Sequence, residues 1–293
     1  MKFHILDVFA ETHYSGNQLA VFLCRKPISG EDMQRIAREI NFSESAFVTT
    51  EEENGNGWPV RIFTPLHEVD FAGHPTLGTA FVVHARLAQH PAARLRLGLK
   101  LGTIPVDVPY EKDAPYWMEQ APPVFGGTHP AKALADVLGL PPEAIDTRFP
   151  IEEVSTGLPH ILVPLRDLES LKIAKIDRDR YFRFIEKTPA KNILVYCLQG
   201  RSPSHEISVR MFADYLGIPE DPATGSGNGC LAGYLVKHRC LGSRSVSLRA
   251  GQGHEIGRPS LLFLEAEENQ GGIHIRVGGR VKEIASGQWH TRH

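Results

Sequence analysis

Three side chains in this sequence have a type and setting suited to moving a proton. Glu44 stands in Asn41-Phe42-Ser43-Glu44-Ser45-Ala46-Phe47, after a predicted helix and before a predicted strand. Phe42 and Phe47 would draw its carboxylate partly out of water, and desolvation raises a carboxyl pKa toward the range useful for general acid–base work. His74 follows Gly73 in Phe71-Ala72-Gly73-His74-Pro75-Thr76, a predicted helix start, where the helix dipole favours neutral imidazole. Asp221 opens Asp221-Pro222-Ala223-Thr224-Gly225-Ser226-Gly227-Asn228-Gly229, and serves equally well as a turn or cap residue. A lone glutamate in a loop is usually a solvated acid. Residue type alone therefore assigns none of the three.

The loops that hold His74 and Asp221 share a second property. Each delivers a helix amino terminus, with Pro75 suited to a first helical turn and Thr224 or Ser226 able to cap. The first amides of a helix lack internal partners and carry partial positive charge, so they receive a carboxylate or an enolate-like oxygen. Gly73 and Gly225 let such a ligand approach the backbone. Taken singly, each loop reads as an ordinary capped helix.

What pairs them is an internal repeat. Val60-Arg61-Ile62-Phe63 precedes Gly73-His74 and an apolar stretch ending in His84-Ala85-Arg86, while Val209-Arg210-Met211-Phe212 precedes Gly225-Ser226 and one ending in Lys237-His238-Arg239. Both read strand, loop, glycine, helix, strand, about half a chain apart. Duplication is the better account. Two facing copies would form a cleft, with the glycine-rich stretch 126–130 as the crossing point.

Around these motifs the patterning predicts strands at 2–9, 18–23, 46–50, 58–63, 94–101, 104–110, 160–164, 193–198, 207–212, 245–249, 261–265 and 273–277. It predicts helices at 31–40, capped by Ser29, and at 131–138 and 178–186. The 293 residues allow one large or two medium domains. With 32 basic against 34 acidic residues, neither nucleic acid nor an anionic membrane is an expected partner. No apolar run approaches a membrane span, and the first residues do not read as a secretion signal. Cys24, Cys197, Cys230 and Cys240 stand far apart with no metal-ligand spacing, which suits a reducing cytoplasm. Gly251-Gln252-Gly253 meets Arg258-Pro259 where a dinucleotide fold needs a helix, and His67-Glu68 with His74 lacks zinc spacing. No metal or cofactor is expected.

Four blocks in order give a resemblance to the PhzF-like isomerases of phenazine biosynthesis. They are Asp7-Val8-Phe9 through Gly16-Asn17-Gln18-Leu19-Ala20-Val21-Phe22; Met33-Gln34-Arg35-Ile36-Ala37-Arg38-Glu39 running into Ser43-Glu44-Ser45; Phe63-Thr64-Pro65 through Ala72-Gly73-His74-Pro75-Thr76; and Glu220-Asp221-Pro222-Ala223-Thr224-Gly225-Ser226. The resemblance implies an α+β, diaminopimelate-epimerase-like fold of two pseudo-symmetric half-domains, each a curled, mostly antiparallel sheet around a central helix. The first would span 1–120, completed by a strand at 278–293, and the second 121–277. It implies Glu44 as the proton shuttle, His74, Asp221 and Ser226 as substrate contacts, and backbone amides at Gly73 and Gly225. Asp221 would orient His74 or hold a substrate amine. It further implies a homodimer without metal or organic cofactor, isomerising a small unsaturated carboxylate of the dihydro-hydroxyanthranilate kind. Related racemases and epimerases carry a cysteine at each helix start, where this chain has Ala72 and Thr224; Cys230, a turn further on, reads as a buried helix-face residue. Val69-Asp70 and Asn228-Gly229-Cys230 depart from the family pattern and bear on the substrate. The alternatives are a metabolite-binding protein without chemistry and an epimerase with a second base.

Overall fold

The computed structural model describes residues 1–88 and 93–290. The chain divides into two compact units, Met1–Glu119 with the chain from Gly278 onward, and Gln120–Val277. Among the described residues no helix is long and apolar enough to cross a membrane.

In the first unit β1 (Lys2–Val8) pairs antiparallel with β2 (Asn17–Leu23), and β2 pairs in parallel with β3 (Ser45–Val48) after helix α1 (Gly30–Ile40). β4 (Trp58–Phe63) lies antiparallel to β3 and to the two-residue β5 (Glu68–Val69). Helix α2 (Gly73–Arg86) then leads to β6 (Arg94–Leu99), parallel to β4 and followed by antiparallel β7 (Gly102–Asp107) and β8 (Tyr116–Glu119). The last strand of the chain, β18 (Val281–Gln288), takes the other edge of β1.

The second unit has the same connectivity. β9 (Val124–His129), followed by helix α3 (Ala131–Val137), pairs with β10 (Ile151–Ser155), as β18 does with β1. β10 and β11 (Pro159–Pro164) are antiparallel, and β11 is parallel to β12 (Asn192–Cys197) across helices α4 (Leu168–Ile173) and α5 (Arg178–Ile185). β13 (Ile207–Ala213) is antiparallel to β12 and to β14 (Ile218–Asp221). Helix α6 (Gly225–Lys237) precedes β15 (Ser245–Gln252), which is parallel to β13 and antiparallel to β16 (Ser260–Asn269); β17 (Gly272–Gly279) follows.

In each unit the sheet curls because its central helix has no polar face. From Gly73 to Val83 only Phe81 of α2 escapes full burial, and Gly225 to Val236 of α6 are all buried. A helix apolar on every side must be enclosed rather than capped by one layer. Small residues permit the enclosure. A Cβ added at Gly78 would stand 2.5 Å from Leu19 Cδ2 and 2.9 Å from Val8 Cγ2, and one at Gly227 would stand 2.8 Å from Leu194.

Helix α1 is amphipathic instead. Ser29 caps it by accepting from the Asp32 amide, and Met33, Ile36 and Ala37 face a layer containing Ala20, Phe22, Phe47 and Phe63. Phe22 stacks on Phe47 at 4.9 Å, and Phe47 meets Phe63 edge-on at 5.6 Å. Asn41 ends the helix in the left-handed region at φ 58°, which turns the chain directly into the Glu44 segment.

The stretch 126–130 is not a crossing point. It belongs to β9 and its end, with Phe125 registered on Val154 and His129 on Ile151. Its glycines lie in a pleated strand, where the sequence suggests a linker. The strand expected over 94–101 ends at Leu99, because the chain turns there to begin β7. Of the terminal strand expected over 278–293, residues 291–293 lie outside the described residues.

Gly78→Ala should destabilise the protein by about 1–3 kcal/mol through overpacking, more than the ~1 kcal/mol of helix propensity it gains. Gly55→Ala, whose added Cβ meets nothing within 4 Å, is the matched control. Urea midpoints should fall for the first and hold for the second.

Candidate functional site

Glu44 sits between the left-handed end of α1 and the first residue of β3, so neither its backbone nor its side chain is part of a regular surface. Its side chain is 17% exposed, and its Oε2 lies 3.6 Å from His74 Nε2. That separation is just beyond hydrogen-bond range. His74 is the second residue of α2 and is buried. Burial pushes its pKa down to about 3, opposed only in part by a hydrogen bond to the Gln18 backbone. The imidazole is therefore neutral at physiological pH. The N-cap position ahead of it is Ala72, which has no side chain to satisfy the first amides of α2.

In the second unit the corresponding helix start carries Gly225 and Ser226 as its first two residues. Thr224 holds the N-cap position, yet it does not cap as the sequence suggests. Its hydroxyl donates to Asp221 Oδ2 instead. Ser226 does not cap either, because it lies inside the helix with its Oγ 3.2 Å from His160 Nε2. His160 is fully buried on β11, and burial lowers its pKa to about 4, so it too is neutral.

Asp221 ends β14 and is buried. A knot of amides fixes the loop that follows. Gln252 donates through Nε2 to the Asp221 carbonyl at 2.8 Å and to Thr224 Oγ1 at 3.0 Å. Its Oε1 accepts from the Thr224 amide at 3.2 Å and from Asn228 Nδ2 at 2.8 Å. Asn228 and Gln252 are both fully buried, and these bonds satisfy the Gln252 side chain and the Asn228 Nδ2 group.

The structure thus brings Glu44, Gly73 and His74 together in one unit, and Asp221, Gly225 and Ser226 in the other. The sequence reading gives His160 and Gln252 no part in the site. His160 is the lone polar residue of the apolar β11, and Gln252 closes the alternating β15; both patterns ordinarily signify structural groups. Cys230 lies on the buried face of α6, with its thiol pushed up to about 12 by burial.

Two curled sheets, each wrapped around a buried helix whose amino terminus carries polar residues, define an epimerase-type fold. A probable proline racemase from Agrobacterium radiobacter shares it, with a TM-score of 0.68 at 9% identity over 99% of this chain and 93% of that one. A PhzF-family protein from Bacillus anthracis superposes with a TM-score of 0.91 at 24% identity, covering 99% of both chains. Residues 6–287 match the family described as phenazine biosynthesis-like protein, PhzC–PhzF, and the chain belongs to that family. Trans-2,3-dihydro-3-hydroxyanthranilate isomerase from Pseudomonas aeruginosa is 37% identical over 269 residues, 91% of this chain and 90% of the relative. The protein is an enzyme of the isomerase class.

The two buried histidines set an acid dependence. Each takes up a proton near pH 6.5 when unfolded but only near pH 3 or 4 when folded, so stability is lost as pH falls below about 6.5. Each contributes up to about 1.4 kcal/mol per pH unit in that window. His160→Gln should flatten the decline in urea midpoint between pH 6 and 4.5 by about one such contribution. An unchanged slope would show that His160 is charged in the native protein.

Proposed function

We propose that this protein is a cofactor-independent isomerase that moves a proton between two carbons of a small unsaturated carboxylate, with Glu44 as its single general acid and base. The observation that carries the reading is the shielded Glu44 carboxylate facing a buried, neutral His74 at the opening of a helix whose N-cap is alanine. The 37% identity to an enzyme named for trans-2,3-dihydro-3-hydroxyanthranilate supports that substrate class.

In the proposed reaction the Glu44 carboxylate takes a proton from one carbon, and the electron pair left behind spreads into the unsaturated carboxylate. His74 and the amides opening α2 bear the developing negative charge. Protonated Glu44 then returns the proton to another carbon, so the product has the same atoms and a displaced double bond. In the second unit His160 holds the Ser226 hydroxyl in place, and family membership supports Asp221 and Ser226 as further substrate contacts. Two-thiol racemisation has no counterpart here, because the residues at the two N-caps are Ala72 and Thr224. Family membership also supports a homodimer working in the cytoplasm.

The test is Glu44→Gln with trans-2,3-dihydro-3-hydroxyanthranilate, followed by proton NMR in D2O. Wild type should shift the vinyl resonances, and the variant should lose at least ~10²-fold in kcat with its thermal midpoint intact. Turnover near the wild-type rate in the variant would remove Glu44 from the mechanism.

A further inference from the structure

The two units repeat a side-chain device as well as a strand order. Arg61 on β4 forks onto Glu68 of β5, with Nε at 2.7 Å from Oε1 and Nη2 at 2.8 Å from Oε2. Its guanidinium lies 5.0 Å from the centre of the Phe63 ring. Arg210 on β13 forks onto Glu220 of β14 through the same atoms, at 3.0 and 2.8 Å, and lies 4.9 Å from the centre of Phe212. The segments joining arginine to glutamate differ, because the second contains the extra turn Asp214–Leu216. The clamp geometry is nevertheless the same. Each glutamate also stands at the same distance in sequence from the glycine that opens the buried helix.

A planar fork onto a carboxylate fixes direction as well as distance, and the ring beneath holds the guanidinium plane. Such a pair contributes little net stability. The Arg61 and Glu68 side chains are 37% and 26% exposed, which places them near the weak surface class, while Arg210 and Glu220 at 7% and 9% carry a desolvation cost that offsets their attraction. What a bidentate pair does supply is orientation. On β14 the alternation of side chains sends Glu220 to Arg210 and Asp221 to Thr224, so fixing the first fixes the second.

We infer that Arg61–Glu68 and Arg210–Glu220 are matched positioning clamps, which set the path of residues 69–72 and 221–224 and so aim His74 and Ser226. The clamps rest on the reading of His74, Asp221 and Ser226 as substrate contacts. Arg210 has a further structural duty, since its Nη1 donates to the carbonyls of Leu171, Lys172 and Ala174 at the end of α4. Replacing it would disturb folding, so the glutamates and Arg61 are the informative positions.

Glu68→Gln, Glu220→Gln and Arg61→Lys in the full chain test the inference by two readouts. Amide hydrogen exchange should rise about tenfold at Thr76 and its neighbours in the Glu68 and Arg61 variants, and at Thr224 and Asn228 in Glu220→Gln, with the other segment unchanged each time. On a substrate turned over by wild type, kcat should fall about 10–100-fold, with thermal midpoints within a few degrees of wild type for Glu68→Gln and Arg61→Lys and lower for Glu220→Gln, which leaves the buried Arg210 without half of its fork. Unchanged local exchange, or a rise spread evenly over the chain, would overturn the clamps. If wild type turns over no substrate, the proposed function fails, while exchange alone still decides the clamps.

Discussion

The burial of a helix with no polar side governs this structure. Neither α2 nor α6 can rest on a flat sheet, because each would leave an apolar face in water. Each therefore requires a sheet that bends around it, and the bend requires neighbours small enough to approach. Gly78 beneath Leu19 and Gly227 beneath Leu194 provide that approach. In both units the second residue of the enclosed helix is the polar one, His74 or Ser226.

The same enclosure sets the chemistry of the histidines. A fully buried imidazole loses the hydration that would support its cation, so His74 and His160 stay neutral far below their ordinary range. A neutral ring near Glu44 places no fixed positive charge beside the carboxylate. Burial also pushes the Cys24 and Cys230 thiols up to about 11 and about 12, away from thiolate chemistry.

Where local chemistry determines structure, the sequence was legible. Ser29, the acids after it and the spacing of Met33, Ile36 and Ala37 define α1 without reference to the rest of the chain. The repeated Val-Arg-x-Phe and glycine strings revealed a shared order of elements, and the four family blocks gave the fold class. Elements that depend on distant partners were not legible. β5 and β14 are two and four residues long and exist because an arginine and an adjacent strand hold them. The 126–130 stretch has the composition of a linker, yet β10 draws it into a ladder. Thr224 has the type of a cap, but Asp221 competes for its hydroxyl. His160 and Gln252 gain meaning only from what surrounds them in three dimensions.

The pairing of β18 with β1 has a consequence for biosynthesis. The unit that begins the chain lacks one edge of its first strand until residues from the far end have been made, whereas the unit spanning Gln120–Val277 is continuous. On the ribosome the continuous unit can assemble as soon as it emerges, while β1 waits with half its backbone groups unpaired. Synthesis and completion thus run in opposite orders, and the exposed edge of β1 is the segment most in need of chaperone protection during translation.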